Sequence, residues 1–159
     1  MQKITPFLWF DSRAEEAAHF YVSIFKDSRI LDVARYPENS PGKAGSVMLV
    51  SFELFGQKFS ALNGGPVFTF TEAVSFMVEC EDQAEIDHYW NSLTADGGKE
   101  VECGWLKDKY GLSWQIVPKM FSELMARGDK EKNDRMLKAL WTMKKLDIAE
   151  LQKAYDGTQ

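Results

Sequence analysis

Residues 103–118 read CGWLKDKYGLSWQIVP and predict two short strands joined by a tight turn. The turn is Asp108–Gly111, where polar residues end the first strand and the glycine permits the positive φ that the reversal needs. In the second strand the apolar residues Leu112, Trp114 and Ile116 alternate with Ser113, Gln115 and Val117. That period of two sends one set into a core and the other to the opposite face. We therefore predict that Gln115 points away from the core, into a cleft.

The composition is that of a globular protein that binds neither nucleic acid nor a membrane. The chain has 159 residues, 45% of them hydrophobic, which is enough for a sizeable core. Its formal net charge of −5 argues against nucleic acid and anionic membranes as partners. We see no signal peptide and no apolar run near the ~18 residues of a transmembrane helix. The two cysteines form no disulfide framework, so we expect a cytoplasmic protein.

The chain reads as two weak repeats, about 1–66 and 67–118, each with a strand, a capped helix and three further strands. In the first repeat, residues 4–10 are apolar on both faces, which predicts a central strand, and residues 12–15 form a capping box. In the second, residues 82–85 repeat that helix start. The predicted fold is α+β, with paired βαβββ modules that form a concave mixed sheet, helices outside, and a cleft between the sheets.

Residues 119–159 predict a helical extension to the domain formed by residues 1–118. Apolar stripes run along its helices, and Asp147 with Glu150 forms a capping box for the last of them. The extension packs either on its own domain or on a partner subunit. Trp141 and Met143 give the extension extra apolar surface, which a C₂ homodimer would cover.

Four stretches in this order resemble the vicinal-oxygen-chelate superfamily, which includes glyoxalases, bleomycin-resistance proteins and extradiol dioxygenases. They are PFLWFDSRAEEAAHFY (6–21), LNGGP (62–66), SFMVECEDQAEIDHYW (75–90) and CGWLKDKYGLSWQIVP (103–118). Within the superfamily the chain is similar to the PhnB-like group, whose domain also carries the label 3-demethylubiquinone-9 3-methyltransferase. The resemblance covers about residues 1–118. Because small modules of this kind often pair between chains in the superfamily, the resemblance, together with the apolar surface of the extension, predicts a C₂ homodimer.

The resemblance implies a divalent-metal site with one ligand, usually His or Glu, from each of four strands. Carried over by motif spacing, these positions fall at Pro6, Ala61, Ser75 and Gln115. Proline has no side-chain donor, and neutral Ser and Gln oxygens bind divalent ions weakly. We therefore expect no metal and no cofactor.

Strand alternation selects nine residues that should share one cavity off the helix-backed faces. They are Ser51, Glu53, Ala61, Asn63, Ser75, Met77, Trp105, Ser113 and Gln115. Glu53 is the one candidate for a catalytic base, although an exposed charge beside a hairpin explains it equally. The glycines after Asn63 either bring backbone N–H groups to a ligand or form a plain turn. We expect His19 and His88 on the surface.

These observations leave three functions open. The preferred one is metal-independent binding of a small organic molecule in the cleft between the sheets. The second is an enzyme of the same superfamily (lyase, isomerase or group transferase) with a displaced metal site or a metal-free acid–base pair. The third is a protein-interaction module whose surface is the C-terminal helices. The methyltransferase label has no support from a strand–Gly-rich turn–helix unit, because Pro66 follows Gly64 and Gly65.

Overall fold

The computed structural model describes residues 1–158, so Gln159, the last residue of the predicted extension, lies outside the described residues. The first module consists of β1 (Phe7–Phe10), α1 (Ala14–Ile24), β2 (Arg29–Arg35), β3 (Val47–Leu54) and β4 (Gln57–Asn63). The second consists of β5 (Ser75–Cys80), α2 (Gln83–Thr94), β6 (Lys99–Glu100), β7 (Trp105–Lys107) and β8 (Ser113–Pro118). The helices α3 (Lys119–Ala126), α4 (Lys130–Leu140) and α5 (Ile148–Asp156) follow. The predicted α+β class with two βαβββ modules is confirmed.

Both modules form a mixed four-stranded sheet with the same connectivity. The strand orders are β1-β4-β3-β2 and β5-β8-β7-β6. In each sheet the first strand of the module pairs in parallel with the last, and the other pairs are antiparallel. One helix packs against one face of each sheet, and the side chains of the other face point away from that helix.

The first strand is an edge strand, so its predicted central position is wrong. Leu8 and Phe10 are buried in the core, as alternation requires. Local contacts explain the apolar residue Trp9 on the other face of this strand. Its indole Nε1 donates to the carbonyl of Gly65 at 3.0 Å, and the ring of Phe68 packs edge-on against it with ring centroids 5.0 Å apart. The turn that follows β4 therefore covers the second face of β1.

Each helix buries one stripe against its own sheet. In the first module α1 buries Ala14, Ala17, Ala18, Tyr21 and Ile24, and the ring of Tyr21 stacks on that of Phe52 in β3. In the second module α2 buries Ile86, Tyr89, Trp90 and Leu93 on the face shared by Leu106, Trp114 and Ile116. Apart from the alanines, each of these buried side chains stabilises the fold by about 1.5–3 kcal/mol relative to an exposed position.

The two helices begin differently, and the predicted capping box at residues 12–15 is wrong. The residue before α1 is Arg13, which makes no side-chain cap, and the amide of Ala14 instead donates to Oδ1 of Asn63 at 2.8 Å. The predicted N-cap of α2 is confirmed, because Oδ1 of Asp82 accepts from the amide of Glu85 at 2.9 Å, and the Glu85 side chain reaches back to accept from the amide of Glu81 at 2.9 Å. A long-range contact thus replaces the local cap in the first module.

The C-terminal helices pack around a small core of their own, formed by Leu124, Met136, Leu146, Leu151 and Tyr155. Backbone amides of Cys103 and Gly104 donate to carbonyls of Met143 and Lys144, both at 2.8 Å, which attaches this layer to the second module. By its contacts the chain divides into two compact units, Met1–Phe70 and Thr71 onward. Within residues 1–158 no helix combines the length and apolarity that crossing a membrane requires.

Candidate functional site

Two rows of side chains cross the face of the second sheet that lies opposite α2, which we call the second-sheet face. Cross-strand pairing places Lys99, Lys107, Ser113 and Ser75 in the first row and Trp105, Gln115 and Met77 in the second. Residues directly opposite across a ladder point to the same side, so each row is a line of neighbours. The predicted orientation of Gln115 away from the helix agrees with this register.

Hydrogen-bonding groups on this face are only partly satisfied. The side-chain amide of Gln115 donates to Oγ of Ser75 at 2.9 Å and makes no other side-chain hydrogen bond to a described residue. Ser113 is 1% exposed, and its Oγ has no partner within residues 1–158. A buried hydroxyl without a partner costs about 1–3 kcal/mol, so it marks a place where a ligand group would add stability. Met77 beside them is 56% exposed.

Two lysines extend the first row. Lys107 forms a hydrogen-bonded ion pair with Glu72, a residue of the loop that precedes β5. The hydrogen bond from Lys107 holds the pKa of Glu72 below its ordinary value. Lys99 lies directly opposite Lys107 on the neighbouring strand. The sequence reasoning missed both lysines, although the alternation that selected Trp105 also selects Lys107 two residues later.

On the first sheet, Ser51 and Glu53 lie on the face opposite α1. Nε of Arg29 donates to Oε2 of Glu53 at 3.0 Å, and the two residues are cross-strand partners. Lys58 is the neighbour of Glu53 on the other side. The Glu53 carboxylate is therefore engaged in an ion pair with Arg29 instead of facing a free cavity, and this geometry does not favour it as a general base.

Ala61 and Asn63 were predicted on the open face, and the structure contradicts both. Ser51 pairs with Ser60, so the alternate residues of β4 share a face with Val50 and α1. Ala61 is fully buried there. The side chain of Asn63 caps α1 and donates to the carbonyl of Val47 at 3.1 Å. The predicted set of nine residues therefore does not share one face.

The glycine turn after Asn63 is explained by packing. A Cβ on Gly64 would lie 2.2 Å from the ring of Trp9, so the indole needs a glycine there. The amides of Gly64 and Gly65 donate to the carbonyls of Phe10 and Asp11 at 2.9 and 3.2 Å. These N–H groups are used within the protein, which favours the plain-turn interpretation.

A cavity of about 410 Å³ lies in the first unit beside this turn. Its charged lining residues are Asp11, Glu15 and Lys43. Two of its polar side chains are engaged internally, since the hydroxyl of Tyr36 donates to the carbonyl of Asn63 at 2.5 Å and Oγ of Ser46 donates to that of Lys43 at 2.6 Å. In the described chain it contains no buried side-chain polar atom that lacks a partner. Apart from Asn63, none of the predicted site residues lines it.

The four positions implied for a metal do not fit one. The carbonyl of Pro6 accepts from the amide of Ser60 at 3.0 Å, and Ala61 is a buried core residue. Ser75 and Gln115 are neutral and bonded to each other. Within residues 1–158 there is no group of three or more His, Cys, Asp or Glu residues with the spacing of a metal site.

Comparisons with known proteins agree on the fold. The family model described as 3-demethylubiquinone-9 3-methyltransferase matches residues 2–117. A putative 3-demethylubiquinone-9 3-methyltransferase, PhnB protein, from Bacillus cereus is 43% identical with a TM-score of 0.67, over 74% of this chain and 99% of that one. No curated protein matches.

Two more distant structures show the fold alone. Protein PA1353 from Pseudomonas aeruginosa is 18% identical with a TM-score of 0.61, over 74% of this chain and 98% of that one. A glyoxalase/bleomycin resistance protein from Albidiferax ferrireducens T118 is 12% identical with a TM-score of 0.50, over 72% and 96%. The same two-module architecture therefore recurs at low sequence identity.

Proposed function

The chain belongs to the 3-demethylubiquinone-9 3-methyltransferase family, whose PhnB-like members share the glyoxalase/bleomycin-resistance fold, and from this premise we propose that it binds a small organic molecule without a metal. The proposed binding surface is the second-sheet face. The observation that carries the proposal is the buried, unpartnered Oγ of Ser113 beside the Gln115–Ser75 pair.

The polar groups of this face suit a ligand with hydrogen-bonding edges. A glutamine side chain has two N–H donors and a carbonyl that accepts twice, and the Gln115 amide uses one N–H on Ser75. The hydroxyl of Ser75 accepts that bond and keeps its own hydrogen to donate. Together with Ser113, these groups offer both donors and acceptors within one patch. Such mixed groups orient a small molecule rather than merely attract it.

The apolar groups of the face suit a flat ligand. Trp105 and Met77 flank Gln115 on the two neighbouring strands. An indole and a thioether both pack well on planar rings, and Met adapts its shape to different ligands. The exposed surface of Met77 is therefore expected to be covered when the ligand binds.

Two observations favour binding over the chemical alternatives. Glu53, the one candidate base, is hydrogen-bonded to Arg29. The Gly64–Gly65 turn that a phosphate- or nucleotide-binding interpretation would need is occupied by Trp9 and uses its amides internally. The proposal therefore does not include methyl transfer or acid–base catalysis. The homodimer, the cytoplasmic location and the cleft between the two sheets stay predictions.

The test is a thermal-shift screen of aromatic acids, amides and phenols, with and without a chelator, because a ligand of the folded state raises the melting temperature. Gln115→Met removes the hydrogen-bonding groups at nearly the same volume, and Gln57→Met in the β3–β4 hairpin is the matched control. We expect shifts that persist in chelator, disappear in Gln115→Met and persist in Gln57→Met. Shifts that vanish in chelator and return with a divalent ion would contradict metal independence.

A further inference from the structure

We propose that the ligand of the second-sheet face carries an anionic group that binds Lys107 and Lys99, and that Glu72 occupies this anion position in the free protein. The inference rests on the proposed function and adds to it the chemical class of the ligand: a flat molecule with a carboxylate or a similar anion at one edge.

The first argument is the pairing of two cations. Lys99 and Lys107 are direct cross-strand neighbours, an arrangement in which like charges repel each other. Glu72 compensates Lys107, whereas Lys99 has no ion-pair partner within residues 1–158. This end of the face keeps a positive charge even with Glu72 in place, so an added anion is stabilised there.

The second argument is that the Glu72 contact can be replaced at little cost. Its side chain is 61% exposed and that of Lys107 is 33% exposed. Exposed ion pairs contribute little to stability, because water screens them and both side chains lose freedom. A ligand anion that also contacts the face would therefore compete successfully with Glu72. Since Lys107 holds the pKa of Glu72 below its ordinary value, Glu72 is charged near neutral pH, and the competition is between two anions.

The third argument is the unpartnered hydroxyl. Ser113 lies in the same row, between Lys107 and Ser75, and is 1% exposed. An anion held by Lys107 would accept a hydrogen bond from this Oγ and so provide the partner that the hydroxyl lacks. No carboxylate in the described part of the chain reaches it. The site thus lacks an acceptor where the cations already favour an anion.

The fourth argument is spacing. Trp105 precedes Lys107 by two residues on one strand, which places the two side chains about 6.6 Å apart along the same face. An aromatic ring on the indole would bring a carboxylate on that ring to the Lys107 end. Glu79 lies on the same face of β5, two rows away from the row that contains Lys107. Its carboxylate would repel the ligand's anionic group if the ligand bound in the opposite direction. The geometry points to an aromatic monocarboxylate.

The experiment compares benzoate with benzamide, which has nearly the same shape and no charge, by isothermal titration and by chemical-shift changes of the face residues. The variants are Lys107→Gln and Glu72→Gln, with Lys138→Gln and Glu123→Gln on the exposed sides of α4 and α3 as matched controls. We expect Lys107→Gln to weaken benzoate and leave benzamide unchanged. We expect Glu72→Gln to strengthen benzoate about two- to fivefold, the range set by an exposed ion pair.

Each other outcome overturns the inference in a distinguishable way. If benzamide binds this face as well as or better than benzoate, or if Lys107→Gln weakens both equally, the anion position is wrong while the proposed binding function stands. If neither compound shifts the resonances of the face, the inference fails, whereas the proposed function is decided separately by the thermal-shift screen. If Glu72→Gln weakens benzoate, Glu72 supports the ligand instead of competing with it.

Discussion

Each module is tied together by one polar side chain, but the two side chains reach over different distances. Asn63 joins the end of β4 to the start of α1 and to β3, over 49 and 16 residues. Asp108 accepts from the amides of Tyr110 and Leu112 and from Nε1 of Trp114, over 2, 4 and 6 residues. We call Asp108 the local hub and Asn63 the non-local hub. Because short loops close at lower entropic cost, the hydrogen bonds of Asp108 can form together with its own turn, whereas those of Asn63 form only after α1, β3 and β4 have come together.

The largest expected effect is at the local hub. Asp108 is 3% exposed, and Asp108→Ala leaves the buried donors of Leu112 and Trp114 without partners. We expect a loss of about 3 kcal/mol in the free energy of unfolding, measured by denaturant titration. Hydrogen exchange should show the loss in α2 and β8 before it appears in α1.

Asp108→Asn is the informative companion variant. Its carbonyl oxygen can still accept from the two backbone amides, but its NH₂ group faces the indole N–H of Trp114, and two donors repel. We expect a loss roughly half that of Asp108→Ala. Equal losses would mean that the carboxylate acts as one unit and that the separate bonds do not add.

The non-local hub should give the next largest effect. Asn63→Ala removes the cap of Ala14 and the bond to Val47, for an expected loss of about 2 kcal/mol. Asn63→Asp keeps the capping oxygen and should recover part of this loss. Hydrogen exchange should accelerate first in α1 in the alanine variant. Acceleration that starts in α2 would contradict the assignment of Asn63 to the first module alone.

The contrast between the two hubs explains which side-chain orientations could be predicted from the sequence and which could not. Alternation in residues 112–117 correctly oriented Gln115, because a strand bounded by a tight turn has few registers. The same reasoning failed at Asn63, where the face depends on the pairing of β4 with both β3 and β1. Asp108 was recognised as a turn residue, but its burial depends on the indole of Trp114 folding back over the turn. Charges such as Glu72 are assigned a partner only by tertiary structure.

The helix caps offer a smaller and cleaner comparison. Asp82→Ala removes a side-chain cap and should cost about 1 kcal/mol. Ser12→Ala, at the position where the sequence predicts a cap and the structure shows none, should change stability by less than about 0.5 kcal/mol. Denaturant titration of both variants is the measurement. A loss near 1 kcal/mol in Ser12→Ala would restore the capping box and remove Asn63 from that role.

A pH dependence confined to the second module, which contains both cysteines, is expected to be smaller than the loss of the Asp82 cap. Cys80 is fully buried in β5, and burial, with a smaller contribution from nearby carboxylates led by Glu85, raises the pKa of its thiol from 9.0 to about 12. The folded state therefore binds the thiol proton more tightly than the unfolded state. The resulting stability is complete below about pH 9 and is lost as the pH rises from there towards 12, because only the unfolded thiol ionises in that window.

The measurement is the free energy of unfolding of the wild type and Cys80→Ala at several pH values from 7.5 to 9.5. The alanine variant is destabilised at every pH by its lost packing, so only the change with pH is informative. We expect the wild type to lose about 0.8 kcal/mol more than the variant by pH 9.5. Parallel curves would mean that water reaches the thiol by local opening of β5. Because the first unit has no thiol, hydrogen exchange in α1 should show none of this difference, and a matching change there would mean that the two units unfold together.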